Sequence, residues 1–196
     1  MLLYLYNMEV FMRKLIFLDT ETTGLDPLKH EIIDIAMIIV TEDERTIYNT
    51  KIKPSRILDA NLKALEINGY TTDKWEAAPD MAECIHDIQK HLQDGYIIGY
   101  NPMFDVGFLE AALKEYKLSV PRMRSIDLMA LSFYFLSPLG LKSLSLDSVR
   151  KFLGISTHNA HTALKDAWDC MHLWQVYKKW KIWHSVWYYF RNRVIK

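Results

Sequence analysis

Residues 14–27 read KLIFLDTETTGLDP. Lys14 to Thr20 is a short apolar run that ends in turn-forming residues, the pattern of a buried strand. Residues two apart on a strand point to the same face, so Asp19 and Glu21 project together from the strand's end. Strand ends of α/β sheets are where ligands bind. Two neighbouring carboxylates repel each other unless a cation lies between them or one takes up a proton. A polar strand end facing water is the plainer explanation of the same pair, so the rest of the chain has to decide between the two.

Working outward, IIDIAMIIV (32–40) is β-branched and apolar and reads as a second strand. TIYNTKIK (46–53) alternates as a third strand that Pro54 ends, with Glu42 to Glu44 as a hairpin loop. Asp59 is expected to cap a short helix through Ile67, closed by Asn68-Gly69. From Asp80 to Leu92, apolar residues at Met81, Cys84, Ile85, Ile88 and Leu92 form a helical stripe. Gly95 leads into YIIGY (96–100), a short buried strand, and Asn101-Pro102 turns into a helix over 103–116. Residues 126–136 and 143–153 also read as helical, and a last helix starts near Thr162 and runs to at least Val176. Three strands followed by helices alternating with at least one more strand suit an α/β domain. Its sheet would join an antiparallel meander to parallel crossovers.

The 196 residues are enough for one domain with a hydrophobic core, and half of them are apolar. Lys and Arg number 24, as do Asp and Glu, so no whole-domain basic footprint marks a nucleic-acid binder. Any contact with a phosphate backbone must come from a local patch or from metal ions. Two cysteines, Cys84 and Cys170, match no zinc spacing and make no disulfide framework; reduced, they suit a cytoplasmic location. The apolar start, MLLYLYNMEVFMRKL, has no basic beginning and no small-residue cleavage site, so it is not read as a signal peptide. No window of 18 apolar residues is present to span a membrane. Residues 1–12 read as an N-terminal extension, with Met8 or Met12 as candidate natural starts, and the main domain as residues 13–173.

Two further elements can share the work of Asp19 and Glu21. Asp105, in NPMFD (101–105), follows a strand and lies in the first turn of a helix, where the helix dipole favours its ionised form. His161 and Asp166 frame HTALKD (161–166). A five-residue offset on a helix turns about 140°, so the two share a face only if His161 precedes the helix on a loop. Histidine titrates near neutrality and suits a general base. Asp169, one turn beyond Asp166, is a rival ligand. Each element alone also reads as a helix-start acid or a surface histidine. Together they bring four carboxylates and one base from three separated segments. Hard cations such as Mg²⁺ or Mn²⁺ prefer carboxylate oxygens, whereas zinc favours more His or Cys.

With these residues in order, the chain resembles the DnaQ-like, or DEDDh, 3′→5′ exonuclease family. Asp19 to Pro27 matches the family's first motif, Asn101 to Asp105 the second and His161 to Asp166 the third, over roughly residues 14–175. The resemblance implies an RNase H-like α/β fold, a five-stranded mixed sheet flanked by helices. It implies that Asp19, Glu21, Asp105 and Asp166 hold two divalent metal ions, Mg²⁺ or Mn²⁺, and that His161 deprotonates the attacking water. It also implies a pocket for the 3′-terminal nucleotide of single-stranded or frayed nucleic acid. Thr22, Gly24 and Leu25 match positions lining that pocket, Phe104 an aromatic position near the terminal sugar or base, and Asn101 opens the second motif beside it. Many members have His-Gly where this chain has Asn68-Gly69, which makes Asn68 a candidate substrate contact in which the titratable ring is lost.

Residues 174–196 contain eight aromatics, six Lys or Arg and no acid. Trp174, Tyr177, Trp180 and Trp183 recur every three residues and Trp187 follows. Such a stripe can pack on the domain, stack on nucleic acid, lie on a membrane surface or dock on a protein partner such as a polymerase. Against the nuclease reading stand two alternatives: trimming of RNA in place of DNA, and a non-catalytic binding module of the same fold. A binding module is expected to have lost at least one of the acids, and all are present.

Overall fold

The computed structural model describes residues 14–158 and 160–193, with side chains as far as residue 180. The proposed extension, residues 1–12, lies outside the described residues. Five strands form a single sheet in the order β3-β2-β1-β4-β5: β1 (Lys14–Thr22), β2 (Ile32–Val40), β3 (Arg45–Lys51), β4 (Gly95–Gly99) and β5 (Arg124–Asp127). β1 runs antiparallel to β2, and β2 to β3, whereas β1–β4 and β4–β5 are parallel. The sheet is therefore mixed, a meander joined to two crossovers.

Eight of the nine residues of β2 are buried, as a strand covered on both faces must be. Alternation along β1 and β2 divides the core. Ile16, Leu18, Ile35, Met37 and Ile39 face one layer, built from α3 (Met81–Leu92) and α4 (Met103–Glu115). Phe17, Ala36 and Ile38 face the other, built from α5 (Leu128–Leu136), α6 (Leu146–Leu153) and α7 (Ala163–Arg193). Each large apolar side chain buried here contributes roughly 1.5–3 kcal/mol. Because Asp19 and Glu21 share the parity of Phe17, the pleat aims them at the α7 layer.

Several local features differ from the sequence-based expectation. Residues 124–127 form β5, and the helix expected from 126 begins at Leu128. Asp127 ends the strand and starts the helix, accepting hydrogen bonds from the backbone N–H groups of Met129 and Asn101. Asn61, not Asp59, caps α1 (Leu62–Ile67) by accepting from the N–H groups of Lys63 and Ala64; residues 57–59 make one 3₁₀ turn. A one-turn helix, α2 (Thr72–Trp75), was not expected. It is anchored by Trp75, which is buried and donates its indole N–H to the Ile33 carbonyl at 2.6 Å.

The last helix runs without a break across residue 173. The first part of the aromatic stripe packs on α5: Tyr177 is buried, its hydroxyl 2.8 Å from Ser132 Oγ, and its ring stacks on Phe135. Trp180 meets Phe135 edge-on. Trp183 and Trp187 lie outside the described side chains.

Candidate active site

The acidic residues meet where the meander joins the first crossover. β4 lies parallel to β1, so the turn after β4 arrives beside the end of β1. Gly99 permits this approach: a Cβ there would stand 3.1 Å from both the Leu18 carbonyl oxygen and Pro102 Cβ. Asn101 takes a left-handed conformation, φ 59°, and α4 begins at Met103. Asp105, in the first turn, is buried. Its Oδ1 accepts from both the backbone N–H (2.9 Å) and the hydroxyl (2.6 Å) of Thr20, the residue between Asp19 and Glu21.

From the other side, α7 brings Asp166, which is buried. His161 precedes the helix, has φ 64° and a side chain 45% exposed. A non-glycine residue in this region is uncommon and is sustained only by surrounding structure. One potential ligand atom from each of Glu21, His161 and Asp166 lies within 4.8 Å of the others. Asp19 interacts electrostatically with Asp105, Asp166 and Glu21. The structure thus gathers all four acids and the histidine that the sequence singles out.

Electrostatics reflect this crowding. Burial first, and then Asp105, Asp166 and Glu21, push the Asp19 carboxyl well above the usual range. Burial, Asp166, Asp34 and Asp105 raise Glu21 to about 8. Asp105 and Asp166 are also raised, chiefly by burial, with Thr20 and Arg150 respectively opposing the shift. Carboxylates so placed favour a cation among them. An all-oxygen set with one imidazole at the rim fits Mg²⁺ or Mn²⁺.

A stability consequence follows, with a definite sign. The unfolded Glu21 carboxyl ionises near 4.5, the folded one near 8. Between these values the folded state retains a proton that the unfolded state has lost, so stability falls as pH rises through the window. A divalent cation removes the repulsion and stabilises the native state to which it binds. The melting temperature of chelated protein is therefore expected to drop from pH 4.5 toward about 8. Mg²⁺ or Mn²⁺ should raise it most at the upper end. Scanning fluorimetry across pH checks this; superimposable curves in metal and in chelator contradict it.

The loop after β1 is fastened at several points. Thr22, buried, donates its hydroxyl to the Gly24 carbonyl at 2.6 Å. A Cβ on Gly24 would fall 2.3 Å from the His30 ring, so only glycine fits there without displacing it. Asn68 Nδ2 donates to the Thr22 carbonyl, and Asn68 Oδ1 accepts from Tyr70 N–H, so its amide helps to fasten the loop. Leu25 stands 81% exposed at the tip. Phe104 packs partly buried beside Phe108, ring centroids 5.0 Å apart. The Asn101 side chain is exposed.

Three further residues border the site and are not among those the sequence singles out. Asp34, buried, pairs in register with Glu21 across β1 and β2; an acid inside IIDIAMIIV was the available signal. Thr20 clamps Asp105. Arg150, buried on α6, donates to Asp166.

With this geometry in view, the class is defined: residues 16–173 match the exonuclease family model, and the chain belongs to that family. Its relatives include a DNA polymerase III subunit epsilon of Treponema pallidum, 31% identical over 79% of this chain and 72% of the relative. They also include a PolC-type DNA polymerase III of Thermotoga maritima, 37% identical over 78% of this chain. The chain spans only 11% of that polymerase's length. The zinc-bound E. coli exonuclease I–ssDNA complex shares the fold, with a TM-score of 0.75 at 22% identity over 86% of this chain and 41% of that one. The architecture is the five-stranded RNase H-like sheet of DnaQ-like exonucleases. No helix among the described residues is long and apolar enough to cross a membrane.

Proposed function

We propose that the chain is a metal-dependent 3′→5′ exonuclease of the DEDDh type that releases nucleoside 5′-monophosphates from a DNA end. The observation that carries this reading is the convergence of Glu21, His161 and Asp166 within 4.8 Å beside Asp19 and Asp105. Asp19, Glu21, Asp105 and Asp166 would hold two Mg²⁺ or Mn²⁺ ions. Bound, these would activate a water molecule and neutralise charge on the leaving oxygen. The protein's own groups do the rest. Thr20 holds Asp105 by one oxygen and Arg150 holds Asp166 by one, which leaves each carboxylate a second oxygen. His161, at the rim, accepts the proton of the attacking water.

Leu25, presented by the fastened loop, and Phe104 supply apolar contacts to the terminal nucleotide, a form of recognition that accepts any base. On this reading the backbone of Thr22 and Gly24 and the side chain of Asn101 line the pocket for that nucleotide. Asn68 stands behind the loop and holds it. DNA is favoured because the two relatives named above are a DNA polymerase III and a DNA polymerase III subunit. The same likeness favours a polymerase as a protein partner, reached through residues 174–196. The test uses oligonucleotides labelled at either end, DNA and RNA, single- and double-stranded, with Mg²⁺, Mn²⁺ or EDTA. Shortening from the 3′ end that requires metal is expected. Cleavage in EDTA, or no 3′ shortening of any substrate, contradicts the reading, and faster loss of RNA moves the substrate to RNA.

A further inference from the structure

Arg150 has a side chain only 1% exposed and uses each of its nitrogens on a different carboxylate. Nη2 donates to Asp166 Oδ1 at 2.5 Å, Nη1 to Asp147 Oδ1 at 2.7 Å and Nε to Asp169 Oδ2 at 2.7 Å. The other oxygen of Asp147 stands 3.6 Å from His161 Nε2. A run of close polar contacts therefore leads from one acid of the site, through Arg150 and Asp147, to the histidine ring. Asp169 has a second cation of its own, Lys165, at 2.5–2.6 Å, so Arg150 is not needed to balance it.

Burying a guanidinium removes hydration worth several kcal/mol, and apolar packing joins two helices without that loss. What apolar packing cannot do is fix two carboxylates in one plane. The rigid fork of arginine does this, and the single ammonium of lysine does not.

We infer that Arg150 is a positioning residue for the hydrolytic site, pinning Asp166 by Oδ1 so that Oδ2 is presented to a cation, and setting His161 through Asp147. The inference rests on the proposed nuclease reading and deepens it. Neither Arg150 nor Asp147 touches the reacting atoms; each acts through a neighbour. Loss of Arg150 should therefore weaken metal binding and turnover together, and loss of Asp147 turnover alone, a split that a fault in folding would not produce.

The test compares wild type, Arg150→Lys and Asp147→Asn in three measurements: Mn²⁺ binding followed by electron paramagnetic resonance, kcat and KM on a 3′-labelled oligonucleotide, and melting temperature. Arg150→Lys is expected to lower kcat and weaken Mn²⁺ binding, each by about 10- to 100-fold, the usual effect of removing a ligand's hydrogen-bond partner. Its KM for the oligonucleotide should stay unchanged. Asp147→Asn should lower kcat with Mn²⁺ binding intact, because it lies on the His161 side of the chain. Wild-type Mn²⁺ affinity and kcat in Arg150→Lys overturn the positioning role and leave the nuclease reading standing. A wild type that neither binds Mn²⁺ nor cleaves defeats both. Should Arg150→Lys melt below the assay temperature, Asp147→Asn decides: the Asp147 side chain is 40% exposed, and an unchanged kcat there overturns the inference.

Discussion

Replacing Asp19 with alanine is expected to abolish most 3′-end cleavage, by on the order of a thousandfold or more, while leaving the protein folded. The size follows from what the residue would hold. Divalent ions at a phosphodiester supply several kcal/mol of charge stabilisation in the transition state, and each 1.36 kcal/mol is a factor of about ten in rate. The fold survives because Asp19 is a liability without a cation. It is partly buried beside Asp105, Asp166 and Glu21, with Arg150 as the opposing charge. Removing it relieves repulsion. Chelated Asp19→Ala should melt no lower than chelated wild type, and added Mn²⁺ should raise its melting temperature less. Paired rate and melting measurements, with and without metal, check both halves. A variant that keeps its activity, or whose metal-induced stabilisation equals that of wild type, contradicts the assignment.

His161→Ala carries the second large effect, a loss of about 10²- to 10⁴-fold in kcat, the range expected for a general base. Mn²⁺ binding should persist, and this sharpens the role. His161 Nδ1 or Nε2 lies within 4.8 Å of oxygens from both Glu21 and Asp166, so distance alone would allow it to be a ligand. Its position favours a base. The side chain is 45% exposed at the rim, on a residue held at φ 64° before α7 begins, with Asp147 Oδ2 3.6 Å from Nε2. Titrating Mn²⁺ into His161→Ala separates the roles: retained affinity with lost turnover marks a base, and lost affinity marks a ligand.

The path from sequence to site was uneven, for physical reasons. Asp19 and Glu21 could be read directly because strand alternation fixes a side chain's face, and the parity of Phe17 places both toward α7. β2 announced itself through its unbroken β-branched run. β5 did not: its four residues, RSID, hold one apolar side chain and pair with β4 alone, so no periodicity betrays them. The cap of α1 is Asn61 and not Asp59: both are good capping residues, and only the backbone path decides between them. Arg150 carries no signal of its own in the sequence. Its burial, and its bonds to Asp166 and Asp169, come from α6 packing on α7, which no local pattern encodes. Asn68 is a second case. Its amide ties the loop through Thr22 and Tyr70, a fastening role that no local sequence pattern shows, and keeps a second N–H beyond those bonds.

Crystals soaked in Mn²⁺ with a nucleoside 5′-monophosphate, measured for anomalous scattering, go to the heart of the matter. Two peaks roughly 4 Å apart, bounded by oxygens of Asp19, Glu21, Asp105 and Asp166 and touching the phosphate, are the expected result. Phosphate and manganese bound away from these four side chains, or density with no anomalous signal between them at saturating Mn²⁺, would contradict it.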